Sequence, residues 1–171
     1  MEIRTPRLTL RTARPEDLAA MHAVLSSAQA TRWWSTPPHL DLDQTRQWLD
    51  SMIASGPDHP DFVVEFEGRV VGKAGFFRPP EIGYILHPDV WGRGVAREAC
   101  AAAIGHLFAG ADHATVTADV DPENAASIRL LEALGFVRTG FAERTWNVGG
   151  EWKDSFFYAL SREDWTARRK A

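Results

Sequence analysis

A strand-like run from Ile82 to Leu86 is followed by Trp91-Gly92-Arg93-Gly94-Val95-Ala96, a helix-patterned stretch to Phe108, and a second strand-like run from His113 to Val120. This succession constrains the fold more than any other part of the chain. Strand, glycine turn, helix and strand make a crossover unit, whose two strands are expected to run parallel. Ala96, Ala99, Cys100, Ala103, Ile104, Leu107 and Phe108 form an apolar stripe at helical spacing, and its small members let the helix lie close on a sheet. The two glycines remove side chains where the first N–H groups of the helix lack intrahelical partners and face the positive end of its dipole. Such a turn suits a phosphate or pyrophosphate, and it sits at the carboxyl end of a strand, where open α/β sheets bind ligands. A lone Gly-x-Gly is also the ordinary form of a strand-to-helix turn, so the rest of the chain has to decide.

Upstream, Leu8 and Leu10 alternate with Thr9 and Arg11, which predicts a first strand with one buried face. Pro15, Glu16 and Asp17 suit a helix start, and Leu18, Met21 and Leu25 continue it, predicting a helix over Pro15 to Ser27. Thr31 to His39 has no period but carries Trp33, Trp34, Pro37 and Pro38, a stiff loop whose tryptophans either line a substrate pocket or seal a core edge. Asp41 with Gln44 resembles a capping box for a second helix through Thr45, Trp48, Leu49 and Met52, ending near Gly56-Pro57. Phe62 to Phe66, Arg69 to Phe77 and Glu81 to Leu86 predict an antiparallel meander, with Glu67-Gly68 as a hairpin turn. After the crossover, Pro122-Glu123-Asn124 opens a helix that Gly135 ends. Phe136 to Val148 and Trp152 to Leu160 then form a hairpin at Gly149-Gly150, before a frayed helical tail from Ser161 to Trp165.

At 171 residues the chain fits a single domain over 1–171, enough to bury roughly two-thirds of its unfolded surface. The net charge of −4 and the lack of a basic run beyond Arg168-Arg169-Lys170 argue against nucleic acid and mildly favour amine-bearing partners. Met1-Glu2-Ile3-Arg4 lacks the apolar run of a signal peptide, and Ala99 to Ala111 is too short and interrupted to cross a membrane; a cytoplasmic protein is expected. Cys100, the single cysteine, reads as a core thiol, and the six histidines show no metal-ligand spacing, so no metal is expected.

The element order resembles the GCN5-related N-acetyltransferase (GNAT) superfamily over nearly the whole chain. The resemblance implies an α/β (α+β) fold with a mixed central sheet of about six to seven strands flanked by about four helices. In the family signature Q/R-x-x-G-x-G/A, Gly94 and Ala96 match, while Trp91 stands at the Gln/Arg position. Thr5-Pro6-Arg7-Leu8, Glu81-Ile82-Gly83-Tyr84, Trp91-Gly92-Arg93-Gly94, Asn124-Ala125-Ala126-Ser127 and Leu134-Gly135-Phe136 together resemble the RimJ/RimL branch.

The resemblance implies acetyl-CoA as co-substrate, with the amides of Gly92, Arg93, Gly94, Val95 and Ala96 on its pyrophosphate. Arg93 offers charge to a phosphate oxygen or is a solvated surface arginine. Ile85 and Leu86 would pair through their backbones with the pantetheine arm, and Asn124 offers that arm a donor and an acceptor or simply caps its helix. Acetyl transfer needs a neutral amine, a stabilised oxyanion and a proton for the departing thiolate. Deprotonating a lysine-like amine (pKa ~10.4) at pH 7 costs roughly 4–5 kcal/mol, an α-amine (pKa ~7.8) only about 1, so an N-terminal acceptor manages with a weak base. Glu81 stands where many family members carry a carboxylate base, or is a strand-end ion-pair partner; Asp119 and Glu143 are reserves. The family's usual acidic tyrosine falls on Leu131, leaving Ser127 beside the sulfur as the substitute, with Tyr84 nearer the site than Tyr158 and expected to pack. The implied reaction is direct attack by a peptide N-terminal or small-molecule amine in a ternary complex, and the other reading is a non-catalytic acyl-CoA-binding module. Dimers are common in the fold, which leaves a homodimer open.

Overall fold

The computed structural model describes residues 1–56, 58–110 and 112–170, with Lys170 described by its backbone alone. Pro57 of the expected helix end and Ala111 of the Ala99 to Ala111 stretch lie outside the described residues.

The strands are β1 (Glu2–Arg4), β2 (Leu8–Arg11), β3 (Asp61–Phe66), β4 (Arg69–Arg78), β5 (Glu81–Leu86), β6 (Thr115–Val120), β7 (Val137–Val148) and β8 (Glu151–Ser161). They form one mixed sheet in the order β1-β2-β3-β4-β5-β6-β8-β7, antiparallel throughout except for β5 beside β6. The helices are α1 (Leu18–Leu25), α2 (Leu42–Ala54), α3 (Val95–Gly110), α4 (Ala125–Leu134) and α5 (Arg162–Lys170).

The mixed sheet is the one expected, with eight strands and five helices among the described residues rather than about six to seven and four. The extra strand, β1, has three residues and one apolar side chain, Ile3, too little to register as alternation. The expected first helix divides into a 3-10 turn at Pro15–Asp17 and α1. The C-terminal tail is a helix because Ser161 caps it: the Asp164 N–H donates to Ser161 Oγ at 3.0 Å, and that hydroxyl donates to Asp164 Oδ2 at 2.6 Å. Arg11, expected on a polar face, is 6% exposed, because its guanidinium forks between Asp17 and Glu65 at 2.7 Å each.

The sheet separates two apolar layers. Leu10, Phe62, Ala74, Ile82 and Leu86 pack under the small-residue stripe of α3, where Ala99, Cys100, Ala103 and Ile104 are each 0% exposed. On the opposite face, Met21, Val24 and Leu25 of α1 and Leu49 of α2 gather over Ile85. Burial of such side chains stabilises by about 1.5–3 kcal/mol each. The Asp41 cap forms as the sequence predicts, accepting from the Gln44 N–H at 2.8 Å.

Candidate active site

β5 and β6 are parallel neighbours, yet among the described residues their pairing is confined to Glu81 opposite Thr117, with the Thr117 N–H donating to the Pro80 carbonyl at 3.0 Å. Beyond that point the strands part, and a cleft of about 770 Å³ opens between them. The His87 N–H donates to Val71 at 2.8 Å, which fixes the alternation of the β4–β5 ladder. Backbone groups of Ile85 therefore turn toward β4, while those of Tyr84 and Leu86 turn toward the cleft. Of the two expected partners for the pantetheine arm, Leu86 presents its backbone there and Ile85 contributes its side chain to the lining.

Gly92 and Gly94 take left-handed conformations, φ 70° and 75°, in the turn that leads into α3, and a β-carbon on Gly94 would stand 3.3 Å from Arg7 Nη2. The Thr5-Pro6-Arg7 block pins this turn from outside. Arg7 donates through Nη1 to the Arg93 carbonyl at 2.8 Å and through Nε to Glu98 at 2.7 Å, and Thr5 Oγ1 donates to Glu98 at 2.6 Å. Burial pushes Glu98 up, but the hydrogen bonds from Thr5 and Arg7 outweigh it and hold the carboxyl below the usual range. Gly92, Gly94, Val95 and Ala96 border the cleft. The Arg93 side chain does not: it pairs with Glu67 at 2.6 Å and lies over the Phe66 ring.

Across the cleft, Asn124 caps α4, accepting from the Ser127 N–H at 3.2 Å and donating to Ser127 Oγ at 3.0 Å. The Ser127 side chain also borders the cleft beside the Tyr84 phenol. Burial pushes that phenol up strongly, so it stays protonated, and the serine opposes the shift. Tyr84 packs as expected and also reaches the cleft beside Ser127; Leu131, at the usual tyrosine position, is 1% exposed.

Glu81 lies at the junction of the strands. Partial burial, then the neighbouring Asp119 carboxylate, push its carboxyl up, and Arg78 offsets them. Asp119 accepts from the Trp146 indole at 2.7 Å. Trp146 follows an irregularity in β7 between Ala142 and Trp146, where Arg144 adopts φ 55° and its N–H donates to Asp154 at 2.9 Å. Glu143, the other reserve base, is exposed and does not border the cleft.

Trp33 and Trp34 both line the far lobe, beneath which lies a feature the sequence reading passed over. Lys73 Nζ stands 2.7 Å from Asp61 Oδ1, with both side chains 3% exposed and Trp34 over the ammonium at 5.8 Å. The available signal was a lysine inside the otherwise small and apolar run Val70 to Phe76. Behind this lobe, His22 Nδ1 and His39 Nδ1 share the Thr45 hydroxyl at 2.7 and 2.9 Å.

Among the described residues no group of three or more His, Cys, Asp or Glu is arranged to hold a metal, and no helix is long and apolar enough to cross a membrane.

Among the described residues the mixed sheet is split between one parallel pair, with a glycine turn at a helix start beside the split, which is the arrangement of the GNAT fold. The profile of the Acetyltransferase (GNAT) domain matches residues 7–137, and the chain belongs to that family. It is 28% identical to an uncharacterized N-acetyltransferase, p20, of Bacillus licheniformis over 94% of this chain and 96% of that one. It is 30% identical to the L-amino acid N-acyltransferase MnaT of Escherichia coli, over 93% and 96%. Among solved structures, a GNAT-family acetyltransferase from Bacillus anthracis superposes with a TM-score of 0.82 at 25% identity, covering 95% of this chain and 99% of that one. The protein is accordingly an N-acetyltransferase.

Proposed function

We propose that the cleft between β5 and β6 binds acetyl-CoA and that the enzyme passes its acetyl group to a primary amine, by direct attack in a ternary complex. The acceptor is an α-amine of a peptide N-terminus or of a small molecule, and the five sequence blocks favour the RimJ/RimL branch. The observation that carries this reading is the splay beyond Glu81 and Thr117. It leaves the backbone of Tyr84 and Leu86 turned to the cleft, in line with a helix start whose N–H groups at Gly92 to Ala96 suit pyrophosphate.

In this reading Glu81 accepts a proton from the acceptor ammonium, directly or through water, and its raised pKa matches that task better than an ordinary carboxylate. The amine nitrogen then bonds to the acetyl carbon, the carbon–sulfur bond breaks, and its electron pair leaves on sulfur. Ser127 hydrogen-bonds the sulfur, and the proton that the acylated nitrogen sheds reaches the thiolate through water. Asn124 fixes the Ser127 rotamer and faces the pantetheine arm. Trp33 and Trp34 wall the acceptor lobe. MnaT, a relative covering nearly the whole chain, acts by name on L-amino acids, which supports a small α-amine among the acceptors.

A thiol-release assay with acetyl-CoA and panels of peptides, amino acids and polyamines tests the reading. Amine-dependent release is expected. Coenzyme A binding without turnover on any amine would instead make the chain an acyl-CoA-binding module.

A further inference from the structure

We infer that the acceptor carries a free carboxylate beside its amine, as an α-amino acid does, and that Lys73 with Thr36 receives that carboxylate. The inference rests on the acetyltransferase reading above and narrows its acceptor.

Lys73 is an unusual residue to find at this depth. Its side chain is 3% exposed, and its ion-pair partner Asp61 meets it at 2.7 Å without the alignment of a hydrogen bond. Asp61 thus balances the charge and fixes the ammonium while leaving its N–H groups to point elsewhere. Thr36 Oγ1, on the tryptophan loop, is likewise buried with no hydrogen-bond partner among the described residues. Lys73, Asp61 and Thr36 all border the cleft. A buried ammonium and an orphaned hydroxyl, both donors, match an anionic oxygen pair, and a carboxylate adds a full opposite charge that an amide carbonyl lacks.

The spacing to the chemistry also fits. Lys73 Nζ comes within 4.0 Å of where a β-carbon on Gly83 would stand, so the missing side chain keeps its head open to β5. Glu81 and Gly83 share one face of that strand, and residues two apart lie ~7 Å apart along it. An α-amino acid held by one hydrogen bond at each end, each ~2.9 Å, spans up to ~9 Å between side-chain heads, which that strand repeat and the length of the Glu81 side chain together accommodate, its carboxylate at Lys73 and its ammonium at Glu81. The sign pattern follows the zwitterion: a cation deep in the lobe, and the carboxylates of Glu81 and Asp119 at the strand junction. A peptide N-terminus would offer Lys73 only an amide carbonyl.

The test compares kcat/KM for a panel of L-amino acids, their α-amides, N-terminal peptides and spermidine. Free acids are expected to exceed their amides by roughly tenfold or more, equivalent to about 1.4 kcal/mol. In the double variant Lys73→Met with Asp61→Asn, which leaves no charge buried alone, that ratio is expected to collapse toward one, mainly through KM for the free acid. Amides, peptides or spermidine matching or outperforming the acids in the unaltered enzyme would overturn the inference while leaving the acetyltransferase reading intact. A ratio that persists in the double variant would also overturn it. Release with no amine at all would remove both. Should the double variant fail to fold, the comparison in the unaltered enzyme decides alone.

Discussion

The indole N–H of Trp91 donates to the backbone carbonyl of Leu86 across 2.9 Å. This single bond ties the last residue of β5 to the first residue of the glycine turn, so the cleft edge and the turn hold one relative orientation. It also occupies a carbonyl that faces the cleft, leaving the Leu86 N–H and the groups of Tyr84 for a pantetheine arm. The residue that departs from the family signature is therefore placed to set the signature's geometry.

Replacing Trp91 by Phe keeps a large ring, 46% exposed in the native residue, and removes the donor. Loss of one such bond is worth about 0.5–1.5 kcal/mol. Coenzyme A affinity measured by calorimetry is expected to fall severalfold, with little change in the melting temperature.

Gly94→Ala and Gly92→Ala separate conformation from crowding. Both positions have positive φ, so each alanine incurs roughly 1–2 kcal/mol of backbone strain. At Gly92 the added β-carbon meets nothing within 4 Å, whereas at Gly94 it meets Arg7 Nη2 at 3.3 Å and disturbs the clamp on Arg93. Coenzyme A affinity is expected to fall in both variants, and further in Gly94→Ala.

Glu98 links the N-terminal block to α3, and its carboxyl is held below the usual range. A depressed carboxylate means that the unfolded chain binds the proton more readily, so the stabilisation is present above an unfolded pKa of ~4.3 and is lost as pH falls through the folded value. Glu98→Gln is expected to lower stability at pH 7 by about 1–3 kcal/mol. Denaturant melts from pH 7 downward are expected to show the native and variant curves converging in acid.

Glu81 titrates above an ordinary carboxylate, through partial burial and then Asp119. If it takes the acceptor proton, kcat/KM has an acid limb that Glu81→Gln removes along with most of the activity. Asp119→Asn removes a charge that raises Glu81, so this limb is expected to move to lower pH. A limb unmoved in Asp119→Asn, read with an acceptor of low amine pKa, would detach Glu81 from the proton transfer.

Periodicity and turn chemistry made most of the fold legible. The small-residue stripe of α3, the Asp41 cap and the crossover unit all follow local rules, and the cleft falls at the end of β5 where those rules put it. The splay itself was not legible, because it depends on how two strands far apart in sequence stop pairing after Glu81 and Thr117. The partner of the Arg93 side chain was not legible for a related reason: Glu67, in the hairpin turn between β3 and β4, pairs with it from 26 residues away. Lys73 and Asp61 escaped because an ion pair between neighbouring strands has no local pattern beyond one charge in a small and apolar run. The Tyr84–Ser127 contact escaped likewise, since it joins β5 to α4 across the cleft.

A crystal structure with coenzyme A bound tests the central claim most directly. The pyrophosphate is expected within hydrogen-bonding distance of the N–H groups from Gly92 to Ala96, the pantetheine arm along Tyr84 and Leu86, and the sulfur beside Ser127 Oγ. A pyrophosphate bound elsewhere, or an arm that leaves the split between β5 and β6 empty, would contradict it.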